Sequence, residues 1–219
     1  MLDAKRRARS FGAATAGSAL AAFAGAAIAA VIGYEAVSVA LARVATPALF
    51  ARYEAETGNG AKLPPGFSRA RIETLLAVQD PGFWTHGGVD WSAPLATTVT
   101  QSVVKKFYFA DFKPGFGKIR QTLIAQFAVG PLTSKNAQLA AFIDVNGFDS
   151  AAQKWFGKPL AELDDDEFLS LIATDNNPKD YAPGTPANAE RVRRIEKYLA
   201  GLCERRGFAD VWLESCAES

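Results

Sequence analysis

Between Ala77 and Trp91 the chain reads AVQDPGFWTHGGVDW. Two carboxylates, Asp80 and Asp90, fall in this stretch with His86, the single histidine of the chain. Carboxylates and an imidazole within hydrogen-bond reach of one another are the usual parts of a general acid–base site. Yet position 79, where a base would be most useful, is Gln, and an amide cannot take a proton. The stretch is therefore an active site, a former active site, or only a helix end followed by a turn. Further along, Lys105, Lys113, Lys118 and Arg120 lie in one segment opposed there only by Asp111. Such a set either holds an anion or is a solvated basic loop. One histidine cannot anchor a zinc site here. Ser102-Val-Val-Lys105 fits S-x-x-K and Ser134-Lys-Asn136 loosely fits S-x-N, the pattern of a serine nucleophile set beside a lysine. No K-T-G completes that set, so the match is set aside.

Helices must position these residues. Ser68 is a fair N-cap for a helix reaching about Gln79. Ile72, Leu75 and Leu76 form its apolar stripe, and the i, i+3, i+4, i+7 series from Ile72 lands on Gln79. Gln79 thus points inward at the last turn. A second helix is expected from about Ile119 to Ala128, with Gln121 on the face of Ile124, Ala125 and Ala128. A second amide is thereby turned towards an apolar surface. DDDEFLSLIA begins a third helix, with Asp164 and Glu167 at capping-box spacing, so the acidic run reads as a cap and a solvated face. NPKDYAPGTP is a stiff loop, and ANAERVRRIEKYL a last amphipathic helix with Val192, Ile195 and Leu199 inward. Strand signals are few, and the fold class is mainly α.

With 219 residues, 49% of them hydrophobic, the chain can bury one core and carry attachments. Lys5, Arg6, Arg7 and Arg9 precede a stretch from Ser10 to Tyr34 that holds no charged residue. The net charge of +1 owes to that cluster; no large basic field remains elsewhere, which argues against non-specific nucleic-acid binding. An apolar run of roughly 25 residues can span a bilayer, and the cluster before it sets the N-terminus in the cytoplasm. A signal anchor, a cleaved signal peptide and a buried core helix are the three readings. The length of the run, and the apolar AVSVALARVATPALF after it, favour the anchor. Residues 1–34 then form a cytoplasmic basic tip and transmembrane anchor, and 35–66 a connector ending in the breaker GNGAKLPPG. Residues 67–200 form a helical domain outside the cytoplasm, and 201–219 a tail. In that tail Cys203 and Cys216 are either a disulfide or two unpaired small apolar residues.

At these motifs the chain resembles the peptidoglycan glycosyltransferases, glycosyltransferase family 51. The family's first motif, E-D-x-x-F-x-x-H-x-G-x-D, stands here as Gln79-Asp80-x-x-Phe83-x-x-His86-x-Gly88-x-Asp90. The second, G-G-S-T-I-T-Q-Q-L-x-K-N, is similar to LATTVTQSVVKK. Thr98, Thr100, Gln101 and Lys105 hold, Thr97 stands for Ser, and both glycines are gone. The third, R-K-x-x-E-x-x-x-A, is similar to the stretch from Gly117 to Ala125, with Lys118 and Ala125 in place and Gln121 for the Glu. SAAQKWFGKPLAEL and NPKDYAPGTPANAERVRR resemble two further family stretches in the family's order. The resemblance covers about residues 66–200.

The resemblance implies a lysozyme-like helical fold, with a larger lobe and a smaller membrane-facing lobe, outside the inner membrane on a single-pass anchor. Its implied substrate is lipid II or an undecaprenyl diphosphate-linked glycan, with cell-wall synthesis proteins as further partners. In the family a sugar hydroxyl attacks the donor's anomeric carbon and lipid diphosphate leaves. A positioned base contributes about 10²–10⁴-fold to such a step, and the leaving group needs cations or a divalent metal, Mg or Mn. By motif position Lys105 and Arg120 would hold diphosphate, with Lys113, Lys118 and His86 as further contacts; Thr97 and Gln101 would add hydrogen bonds. Both family Glu positions, 79 and 121, are Gln, which keeps shape while deleting charge. Asp80 is the nearest remaining carboxylate, in a place whose family role is structural. The segment between the first two motifs is also short by roughly a dozen residues against the family's pattern, which shrinks the lobe over the donor. A binding protein without turnover, a divergent enzyme and a fold used only as a scaffold are the three functional readings.

Overall fold

The computed structural model describes residues 2–93, 96–175, 177–207 and 210–217, with side chains from Ala21 onward. One helix, α1, runs from Leu2 to Glu56. Residues 35–56, expected as a connector, are the second half of this helix and join the domain's core. Ala42, Thr46, Phe50 and Tyr53 recur at i, i+4, i+8, i+11 and are all buried. Phe50 meets Phe107 edge-on at 5.3 Å between ring centroids, and the Thr46 and Tyr108 hydroxyls are 2.7 Å apart. That packing offsets Pro47, whose missing N–H and ring clash cost about 3 kcal/mol inside a helix. The first half behaves differently: Phe23, Ile28, Ile32 and Tyr34 are exposed. From Ala21 to Glu56 the helix is long and apolar enough to cross a membrane.

The domain is helical, with no strand among the described residues. Helix α2, Arg69–Gln79, starts where Ser68 caps the Arg71 N–H, as its sequence predicts. Helix α3, Val99–Phe107, carries most of the second motif. Thr98 and Gln101 form a capping box there, and Val99, Val103 and Val104 are buried. The helix expected over 119–128 is longer and broken in register. Helix α4, Phe116–Ile124, passes into a π-helical turn at Ala125–Val129 and then the short α5, Gly130–Leu132. Helix α6, Lys135–Val145, lies at the centre against α1 and α3, with Ala137 to Ile143 all buried. Helix α7, Phe148–Phe156, is bounded by Gly147 and Gly157, both left-handed. Helix α8, Asp165–Thr174, carries the Asp164–Glu167 capping box read from sequence.

Helix α9, Pro186–Leu199, buries a face rotated from the one expected. Ile195 is inside and Val192 half-buried, but Leu199 is exposed; Asn188 and Arg191 take the buried positions. The tail accounts for this rotation. Trp212 folds back to stack on Tyr181, and the Arg191 guanidinium lies 4.0 Å from the Trp212 centroid while donating to the Ala173 and Asp175 carbonyls. Cys203 and Cys216 are joined by a disulfide across the tail.

Candidate functional site

The first motif begins where α2 ends. Asp80 is the C-cap residue, and its carboxylate is buried. It accepts from His86 Nε2 at 3.0 Å and from the Val99 N–H at 2.9 Å, so it ties the motif to the start of α3. The other ring nitrogen, Nδ1, accepts the Gly88 N–H at 3.1 Å, which leaves the ring proton on Nε2 facing Asp80. His86 thus has both ring nitrogens engaged within the protein and its side chain buried. Lys135, not singled out in the sequence as part of this site, closes the back of the loop. Its ammonium donates to the His86 carbonyl at 2.8 Å over the Phe83 ring, and burial pushes its pKa down to about 8 against the pull of Asp80. Its signal in the sequence was slight: a first helical residue behind the N-cap Ser134.

The loop rests directly on the π-helical turn. A Cβ at Gly88 would sit 2.2 Å from the Ala125 carbonyl oxygen, and one at Gly130 would sit 1.8 Å from the Gly87 oxygen. Only glycine allows this backbone-on-backbone approach. One further helix turn back, Gln121 is buried at 1% exposure, and its Nε2 donates to the Gln101 carbonyl at 2.6 Å. Its Oε1 is buried with no hydrogen-bond partner among the described residues. Gln101 is itself fully buried, its Oε1 accepting from Thr98 N and its Nε2 donating to Thr122 Oγ1. The hydrogen bonds expected from Gln101 to a substrate are therefore spent inside the domain.

Gln79, Asp90, Thr97 and Thr98 line a cleft of about 290 Å³, closed on one side by Arg205 and Gly207 of the tail. Gln79 is half-buried there with its Nε2 inside. Ser92 donates to Asp90 through both its hydroxyl, at 2.6 Å, and its backbone N–H, and these bonds hold the Asp90 pKa below the ordinary carboxylate value.

The expected cations divide into two groups. Lys118 is half-buried and donates to Thr97 Oγ1 at 3.0 Å; burial, and then the charge of Lys105, lower its pKa. Lys105 is exposed over the Phe112 ring at 5.2 Å. Lys113 is an exposed side chain paired with Asp111. Arg120 faces the other way: it forks onto both oxygens of the buried Glu35 on α1, each at 3.0 Å, with the Tyr34 ring 4.4 Å away. Residues two apart on a helix point roughly 200° apart, so Lys118 and Arg120 cannot share one cleft. In the sequence Glu35 does no more than end the uncharged run.

Position 121 offers a buried amide where the family pattern has a carboxylate, and among the described residues no three His, Cys, Asp or Glu side chains converge.

The transglycosylase family model matches residues 56–202, and the chain belongs to that family. It is 29% identical over 155 residues to penicillin-binding protein 1A of Neisseria cinerea, covering 61% of this chain and 19% of that protein. To penicillin-binding protein 1B of Vibrio cholerae it is 26% identical over 157 residues, covering 58% of this chain and 20% of that protein. The match thus spans about a fifth of the length of these relatives.

Proposed function

We propose that this chain is a peptidoglycan glycosyltransferase-like envelope protein that binds lipid II, or a related lipid diphosphate, without a general base at either family Glu position. Lys105 and Lys118 carry this reading. Lys118 on α4 holds Thr97 Oγ1 at 3.0 Å, Lys105 is exposed on the neighbouring α3, and neither forms an ion pair with a carboxylate among the described residues. An anion bound beside them would be stabilised by both charges, with the Thr97 hydroxyl at hand. The apolar half of α1 is the single-pass inner-membrane anchor in this reading, with the domain on its outer face, where a lipid-linked head group lies.

Chemistry beyond binding lacks its base. Gln79 and Gln121 cannot accept a proton, and Asp80 is buried with its oxygens held by His86 and Val99 N–H. One observation favours residual turnover instead: Asp90 lines the same cleft as Gln79. The test is lipid II binding to the full chain in detergent, with a Lys105→Ala/Lys118→Ala control and polymer followed in the same tube. Binding without polymer, weakened at least tenfold in the control, supports the proposal. Polymer abolished by Asp90→Asn would replace it with a divergent enzyme, and binding undiminished in the control would remove the lysine site.

A further inference from the structure

The tail beyond the family match builds one wall of the cleft. The family model ends at residue 202, whereas Arg205 and Gly207 line the cleft beside Gln79. Arg205 is held there on purpose-built support. The Cys203–Cys216 disulfide closes the tail, Asp210 accepts the Arg206 and Glu214 N–H groups, and Ser215 Oγ donates to the Glu204 carbonyl. Across that support, Arg205 Nη2 donates to the Val78 carbonyl at 2.8 Å, one residue before Gln79. Its Nε is buried without a hydrogen-bond partner among the described residues, and the guanidinium lies 5.5 Å from the Tyr198 ring centroid.

We infer that Arg205 is an anion-binding residue of this cleft, taking a carboxylate or phosphate group of the ligand. This rests on the reading of the cleft as a ligand site given above. Neither carboxylate of the lining forms an ion pair with the guanidinium: Asp80 accepts from His86 and the Val99 N–H, and Asp90 from Ser92. A glutamate at position 79 would bring a negative charge to the lining beside Arg205; the amide carries none to offset the guanidinium. A guanidinium used only as a clamp on Val78 would serve as well with a carboxylate neighbour.

The experiment uses the full chain in detergent, in a Lys105→Ala/Lys118→Ala background that removes the lysine site. Inorganic diphosphate and glucuronate are titrated calorimetrically as the phosphate and carboxylate probes. Saturable binding of one of them is expected, weakened at least tenfold by Arg205→Gln and largely kept by Arg205→Lys; the better probe identifies the group recognised. Gln79→Glu, which is isosteric, is expected to weaken binding at least tenfold by pairing with Arg205, and it answers the question even if Arg205→Gln misfolds. No saturable binding of either probe in this background, or binding indifferent to both Arg205→Gln and Gln79→Glu, overturns the inference. Lipid II binding by Arg205→Gln protein with both lysines intact would then show that the lysine site stands without it.

Discussion

Gln121 is held by a bond that a carboxylate cannot make. Its amide donates to the Gln101 carbonyl, and two acceptors at that distance would repel. Gln121→Glu is therefore expected to destabilise the domain by about 1–3 kcal/mol, the cost of an unsatisfied buried polar contact, as measured by denaturant unfolding in detergent. Restoring the family residue would thus disturb the site before it could help it. Lys135 sets a second test at this scale. Its folded pKa of about 8 lies below the ordinary lysine value, so between those two values the unfolded chain binds more protons. Stability contributed by Lys135 must rise with pH across that window and be absent below it. Melting temperature followed from pH 8 to 10.5 should climb less, or fall more, in Lys135→Met than in the wild type.

Among the elements, α1 joins two roles, an apolar first half and a core-packed second half, in one helix. Its inner half packs into the core, and Glu35 fixes its rotation by the fork from Arg120. Breaking such a buried pair at one partner leaves an uncompensated charge, which costs about 3–5 kcal/mol when burial is complete. Arg120 keeps 24% exposure of its side chain, so Glu35→Gln is expected at or below the lower end of that range, about 3 kcal/mol. Adding Arg120→Met to Glu35→Gln should recover part of the loss in a double-mutant cycle. Full additivity of the two changes would show that the pair does not couple α1 to α4. The π-helical turn belongs to this scale too. It brings the Ala125 carbonyl against Gly88, so the first motif and α4 are set against one another by backbone geometry.

For the whole molecule, the tail is the part closed by a covalent tie, the Cys203–Cys216 disulfide. A loop with a separation of 13 residues gains about 3 kcal/mol from its disulfide in the chain-entropy account. Reduction, or a Cys203→Ser/Cys216→Ser variant, should release the tail while leaving the helices folded. Trypsin cleavage after Arg205 and Arg206 is then expected to accelerate at least tenfold with an unchanged far-ultraviolet circular dichroism spectrum. Cleavage at the same rate in both forms would show that packing of Trp212 on Tyr181 and Arg191 holds the tail without the disulfide.

The sequence by itself determined the local elements whose signals are local. Ser68 and the Asp164–Glu167 box start their helices because a cap is a bond between near neighbours. Gln121 turned inward because helical spacing puts it with Ile124, Ala125 and Ala128. The motif order also pointed to the transglycosylase family. Which cations share a cleft was beyond its reach. Arg120 and Lys118 are two residues apart and look equivalent in a basic segment, yet one faces Glu35, 85 residues away, and the other Thr97. Arg205 reaches Val78 across a separation of 127 residues, with no local pattern to announce it. Leu199 fits the expected stripe and still lies outside, because the returning tail covers Arg191 and leaves Leu199 uncovered. Burial and charge pairing between distant segments are properties of the packed chain, and only the tertiary structure decides them.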